Sequence, residues 1–87
     1  LPAEDFMYQN KAQCYYWNGT EDIRYMEHHV YNQEEFMYFD SDIGFFIGIT
    51  ELGREQADYL NNQTGILEGR QAVRNAVCKY NYQIFKP

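Results

Sequence analysis

Apolar and polar positions alternate through the first half of the chain and follow a helical period in the last third. Residues 6–17 put Phe6, Tyr8, Asn10, Ala12, Cys14 and Tyr16 on one side and Met7, Gln9, Lys11, Gln13, Tyr15 and Trp17 on the other, the period of a strand. Asn18-Gly19 tolerates the left-handed backbone of a tight hairpin. Residues 22–31 form a second run, with Ile23, Tyr25, Glu27, His29 and Tyr31 sharing a side. Asn32-Gln33-Glu34 turns the chain into a third run over 35–40, and Ser41-Asp42-Ile43-Gly44 turns it into a fourth over 45–49. Four short strands with tight connections predict an antiparallel meander.

From Thr50 onward the period lengthens. Thr50 is suited to cap a helix over 51–61, and Glu51 in the first turn complements the helix dipole. Asn61-Asn62-Gln63-Thr64-Gly65 is poor helix material and predicts a break. Beyond it, Ile66, Gly69, Arg70, Val73, Val77, Tyr80 and Ile84 fall on one stripe, with Leu67, Gln71, Arg74 and Cys78 on the neighbouring one. The fold class is α+β: one domain over residues 1–87, a four-stranded antiparallel sheet within 6–49 and a kinked helix over 51–84 packed on one face. Four strands at about 4.8 Å spacing make a sheet nearly 20 Å wide. A helix of about 10–12 Å diameter covers only half of it. Much of the upper face and one edge are left for a partner or ligand.

Composition sharpens that shortage. The 87 residues include 9 Tyr, 6 Phe and 1 Trp, too aromatic for a disordered chain. A domain this small buries only about two thirds of its unfolded surface and needs support from a disulfide or a partner. The net charge of −6 argues against nucleic-acid binding, which needs a basic stripe. The charge is also uneven: residues 1–65 carry 12 acids and 3 bases, residues 66–87 carry 1 acid and 4 bases. That pattern fits either a solvated helix face or Arg70 and Arg74 turned toward an acidic or carbonyl-rich ligand. No apolar run is long enough to span a membrane, so this domain makes no membrane contact of its own, and no signal peptide is expected within it.

Chemistry-bearing residues are few. Cys14 and Cys78 are too far apart for a C-x-x-C motif and are either buried thiols or one long-range disulfide. Asn18-Gly19-Thr20 and Asn62-Gln63-Thr64 are N-glycosylation sequons and favour an oxidising compartment. His28 and His29, adjacent on a strand, point to opposite faces and cannot grip one ion. Glu27 and His29 share a face, but no nucleophile or second carboxylate accompanies them, so a polar cavity floor is expected rather than catalysis. Asp40-Ser41-Asp42-Ile43-Gly44 lacks the spacing and the late Glu of a calcium loop and reads as a turn. No metal or cofactor is expected, and the chain is not read as an enzyme.

The order and spacing of several segments carry a resemblance. Cys14, Asn18-Gly19-Thr20-Glu21, Tyr31-Asn32-Gln33-Glu34-Glu35-Phe36, Phe39-Asp40-Ser41-Asp42-Ile43-Gly44, Thr50-Glu51-Leu52-Gly53-Arg54 and Val77-Cys78-Lys79-Tyr80-Asn81-Tyr82 follow one another as in one family. The chain resembles the membrane-distal β1 domain of a major histocompatibility complex class II β chain. The match runs over nearly the whole sequence, and F-D-S-D-x-G followed by T-E-L-G-R is highly specific.

The resemblance implies an αβ heterodimer of the adaptive immune response. The α1 domain of a class II α chain would complete an eight-stranded floor and a second helix, enclosing an extended antigenic peptide read by a T-cell receptor. It also implies a Cys14–Cys78 disulfide, a glycan at Asn18, and the extracellular or lumenal face of a membrane-anchored complex. The second sequon, at Asn62, lies outside the usual pattern. The immunoglobulin-like domain and membrane helix of such chains are missing from these 87 residues, so a domain fragment is expected.

Position by position, the implied groove floor is Tyr8, Asn10, Ala12, Tyr25, Glu27, His29, Phe36 and Phe46. The implied helical wall is Gln56, Tyr59, Leu60, Ile66, Arg70, Val73, Val77, Tyr80, Asn81 and Ile84. Asn81 would pair with a peptide N–H and C=O, which every peptide offers. Glu27 and Arg70 would set charge preference beside the small Ala12. Leu60, Tyr80 and Gln56 stand where the family usually has Trp, His and Asp, and Phe85 falls near the first anchor pocket. An alternative is a non-classical β chain, a chaperone or receptor ligand with little or no peptide binding.

Overall fold

A computed structural model describes residues 7–17 and 22–85, with the Phe85 side chain excepted. Phe6, the Asn18-Gly19 turn and the Asn18 sequon lie outside the described residues. Strands β1 (Tyr8–Trp17), β2 (Asp22–Tyr31), β3 (Glu34–Asp40) and β4 (Phe45–Gly48) form one antiparallel sheet in the order β1-β2-β3-β4. The meander predicted from alternation is the observed topology. Asn32 and Gln33, both with positive φ (51° and 69°), make the tight β2–β3 turn. Gly44, at φ 95°, closes the β3–β4 turn, where its N–H reaches the Asp40 carbonyl at 2.7 Å. The Asp40 side chain accepts from the Asp42 N–H at 2.9 Å and pairs with Arg24 through both oxygens, so this segment is a turn whose carboxylate is occupied.

Register decides what shares the upper face. Opposed pairs run Asn10–His29, Ala12–Glu27, Cys14–Tyr25 and Tyr16–Ile23 between β1 and β2, and Glu27–Phe39 and Phe39–Phe46 onward. Ala12, Glu27, Phe39 and Phe46 thus form one continuous cross-strand row. Between His29 and Val30 the register slips, because Phe36 is an extra residue in β3. The bulge lets consecutive residues Phe36 and Met37 both be buried, which strict alternation forbids. Phe39, fully buried at 0% exposure, packs against the rings of Tyr25 and Phe46.

Helix α1 (Glu51–Asn61) starts where expected. The Thr50 hydroxyl accepts from the Gly53 N–H at 3.0 Å. The break over 62–65 precedes α2 (Ile66–Val73), a π-helical segment (Arg74–Cys78) and α3 (Lys79–Phe85). The π segment has no signal in the sequence. Ala57 is buried under α1, while Leu60, Ile66, Leu67 and Val73 pack around the core of Ile23, Tyr25, Phe36, Met37, Phe39 and Phe46. Cys14 and Cys78 are joined in a disulfide that ties β1 to the π segment.

Asn61 closes the outer edge of β4. Its Oδ1 accepts from the Phe46 N–H at 2.8 Å and its Nδ2 donates to the Phe46 carbonyl at 3.0 Å, so a side chain replaces the missing fifth strand there. Asn61→Ala is expected to cost about 1–3 kcal/mol by leaving both backbone groups unpaired. Chemical denaturation checks it, and an unchanged midpoint contradicts it.

Candidate functional site

The upper face carries a connected set of polar and aromatic groups. The Tyr8 hydroxyl bonds His29 Nδ1, and His29 Nε2 lies 2.5 Å from Glu27 Oε2. Glu27 Oε1 accepts from the Tyr25 hydroxyl at 2.9 Å and lies 2.8 Å from Arg70 Nε. That Nε–H is not aligned on the oxygen, so the Arg70 contact is an ion pair rather than a hydrogen bond. The Arg70 guanidinium also sits over the Phe46 ring, 5.7 Å from its centre. Strand periodicity aims Tyr25, Glu27 and His29 the same way, and the stripe through Ile66, Arg70 and Val73 brings Arg70 down onto them.

Electrostatics follow from that contact list. Burial raises the Glu27 carboxyl, but the His29 hydrogen bond, the Arg70 charge and the Tyr25 hydroxyl outweigh it and hold Glu27 below its ordinary value. Burial and the Glu27 charge push the Tyr25 phenol up to about 12, and the same two causes raise Tyr8. Glu27 has both oxygens engaged and His29 both ring nitrogens, so the buried polar groups of the floor satisfy one another. His28 instead faces the opposite side of the sheet, against Glu35 at 2.6 Å and the Tyr38 ring.

Glu27 and Asp40, which Arg24 holds below the usual carboxylate range, make stability acid-sensitive. A carboxyl lowered in the folded state contributes stability that is present above its unfolded pKa of about 4 and is lost as pH falls through the folded value. Thermal midpoints are expected to drop as pH is taken below about 4. Asp40→Asn is expected to shallow that drop while lowering stability at neutral pH, and melts across a pH series measure both.

The other expected residues divide into three groups. Phe36 packs against Tyr8 and His29, while Phe46 packs against His29. Asn10 and Ala12, on the same face toward β1, are exposed. On the helices Leu60, Ile66 and Val73 pack into the core, Asn81 is half-buried, and Gln56, Tyr59 (62%), Val77, Tyr80 (66%) and Ile84 are exposed. A hollow of about 350 Å³ joins Tyr8, Phe36 and Gln56 with Tyr31, Met37 and Leu52, three residues outside the site expected from the sequence. The bulge hides Met37 and the row-centre Phe39; an unbroken run of four apolar or aromatic residues, Phe36-Met37-Tyr38-Phe39, is the hint the sequence offers.

The geometry defines a half-platform: a polar and aromatic floor, walled on one side by a broken helix and running out uncovered at strand β1. The chain belongs to the class II histocompatibility antigen β-domain family, whose profile matches residues 2–86. It is 53% identical over 79 residues to the Rano class II histocompatibility antigen A beta chain of Rattus norvegicus, covering 91% of this chain and 34% of that one. It is 49% identical over 81 residues to the SLA class II DQ haplotype D beta chain of Sus scrofa, covering 93% and 31%. Identity to the HLA class II DP beta 1 chain of Homo sapiens is 45% over 84 residues, covering 97% and 32%. The chain spans about a third of the length of these relatives. Among the described residues no helix is long and apolar enough to cross a membrane.

Proposed function

We propose that this domain binds antigenic peptide, and presents it to a T-cell receptor, as one half of a groove completed by a class II α chain. The observation that carries the reading is the way the floor stops. Among the described residues strand β1 pairs with β2 on one side and with no other strand, and Tyr8, Asn10 and Ala12 are exposed on its upper face. An unpaired ten-residue edge is a template for another strand. The first domain of an α chain placed there extends the sheet and sets a second wall opposite α2 and α3. Tyr59, Val77, Tyr80 and Ile84, exposed and apolar-bodied, then contribute to the wall beside the peptide, and Asn81 bonds its backbone. Arg70 is already paired with Glu27, so the central floor is close to charge-neutral and favours peptide side chains that are neutral or dipolar over strongly acidic ones.

The test is co-expression of the full-length chain with a class II α chain, acid elution, and mass spectrometry of what is released. Recovery of nested extended peptides supports the reading. A folded heterodimer that yields none overturns it in favour of a non-classical β chain acting as a chaperone or receptor ligand. One observation favours that second reading: Leu60 packs into the core and has no donor to offer a peptide backbone, in contrast to the Trp its resemblance leads one to expect.

A further inference from the structure

We propose that Asn62 carries an N-linked glycan that covers the outer side of the helical wall. Two adjacent asparagines end α1, and the structure gives them opposite tasks. Asn61 turns inward and engages both its amide oxygen and its amide nitrogen on the Phe46 backbone. Asn62 is exposed in the break between α1 and α2, and so are Gln63 and Thr64, which complete the acceptor triplet. The Asn62 amide donates one hydrogen to the Asp58 carbonyl at 2.8 Å. An amide nitrogen has two hydrogens, so one can be replaced by a sugar while the nitrogen keeps the other. Addition forms a bond from the nitrogen to the anomeric carbon of an oligosaccharide. It breaks the bond between that carbon and the lipid pyrophosphate that carries it, and the amide proton is lost as the lipid pyrophosphate leaves.

The surroundings suit a sugar. A shallow hollow of about 600 Å³ begins beside the break, lined by Gln63, Thr64, Leu67, Glu68, Gln71 and Asn75 among others. Amide, hydroxyl and carboxylate groups rim it, with Leu67 on its apolar part, a lining able to hydrogen-bond hydroxyls and pack the face of a pyranose ring. By helical periodicity these α2 residues point away from the stripe through Ile66, Arg70 and Val73. A glycan seated there screens the outer shoulder of the wall and leaves the floor open. The Cys14–Cys78 disulfide is consistent with folding in the oxidising lumen where such transfer occurs. The inference needs only passage through that lumen and stands apart from peptide binding.

The test translates the full-length chain, behind a cleavable secretory leader, in the presence of endoplasmic-reticulum microsomes and follows mobility before and after peptide N-glycosidase. The series is made in an Asn18→Gln background, which leaves Asn62 as the one acceptor triplet within residues 1–87, and every shift is read as a difference from the matching Asn62→Gln chain. The parent and Thr64→Ser, which keeps the triplet, are expected to shift by one glycan more than Asn62→Gln, and Thr64→Ala to shift no more than Asn62→Gln. Enzymatic release in heavy-oxygen water, followed by mass spectrometry, is expected to leave labelled aspartate at position 62. An unmodified Asn62 peptide from the parent overturns the proposal, as does an excess over Asn62→Gln that survives Thr64→Ala. Because the assay needs neither an α chain nor a peptide, its failure leaves the groove reading untouched, and failure of peptide elution leaves this one untouched.

Discussion

Gly53→Ala is expected to unseat helix α1. A methyl group at Gly53 would lie 1.6 Å from the Phe36 carbonyl oxygen and 2.6 Å from its carbon. Both neighbours are backbone, so no rotamer change relieves the clash. That oxygen also accepts from the Ile49 N–H at 2.8 Å, which fixes the chain between β4 and the helix. Gly48 stands in the same crowding, with an added methyl 2.4 Å from the Arg54 Cα. The two glycines let the first turn of α1 rest directly on the sheet backbone. Overpacking ordinarily costs about 1–3 kcal/mol, and a backbone-on-backbone clash belongs at or beyond the top of that range. Against the roughly 5–15 kcal/mol that holds a small domain folded, a loss of about 3 kcal/mol removes a fifth or more of the margin and raises the unfolded-to-folded ratio more than a hundredfold. Gly69→Ala is the control. Nothing lies within 4 Å of its added methyl, and the position is an exposed helix interior, so a gain of about 0.5–1 kcal/mol is expected. Denaturant midpoints of the two variants should move in opposite directions; a stable Gly53→Ala protein contradicts the account.

How far the sequence carries is visible at this same junction. Thr50 as a cap and Leu52-Gly53-Arg54 as part of a specific pattern are legible as letters. That Gly53 touches the carbonyl of Phe36 is not, because the contact joins two elements whose relative height no periodicity encodes. The strands and the upper-face set Tyr25, Glu27 and His29 follow from period two, and the β2–β3 and β3–β4 turns from Asn32-Gln33 and Gly44. The bulge at Phe36 does not: it adds one residue to one strand and so rewrites which of Phe36, Met37 and Phe39 face the helices. Arg70 is legible as a member of a stripe, whereas its ion pair with Glu27 depends on how far α2 is pressed onto the sheet. The π segment is the least legible of all. Arg74-Asn75-Ala76-Val77-Cys78 contains no glycine or proline, and the widened turn appears only where the disulfide residue Cys78 meets β1.

Replacing both cysteines by alanine is expected to cost about 4 kcal/mol, from the loop-closure entropy of a bridge spanning 64 positions. The paired change avoids a lone reactive thiol. The bridge encloses β2, β3, β4, α1 and α2, so most of the chain's unfolded freedom is restricted by this one bond. Its loss also has a local effect in the folded state. Strand β1 is held on one side by β2, and its far end meets the helix near the bridge, where the Tyr16 hydroxyl donates to the Cys78 carbonyl at 2.6 Å and the Tyr16 and Tyr82 rings meet at 5.2 Å. One hydrogen bond and one ring pair contribute about 1–3 kcal/mol together, too little to anchor α3 once the covalent tie is gone. Amide exchange is therefore expected to rise first over Lys79–Phe85 and the second half of β1. The amides around Phe39 and Phe46 exchange only with global unfolding. Urea titration reads the stability loss as a lowered midpoint, and a shift worth less than about 1 kcal/mol contradicts the assignment of the staple. Since β1 is also the edge proposed to receive the α chain, the same variant is expected to assemble poorly even where enough folded chain remains. Heterodimer yield at matched folded concentration separates that loss of edge order from the loss of fold.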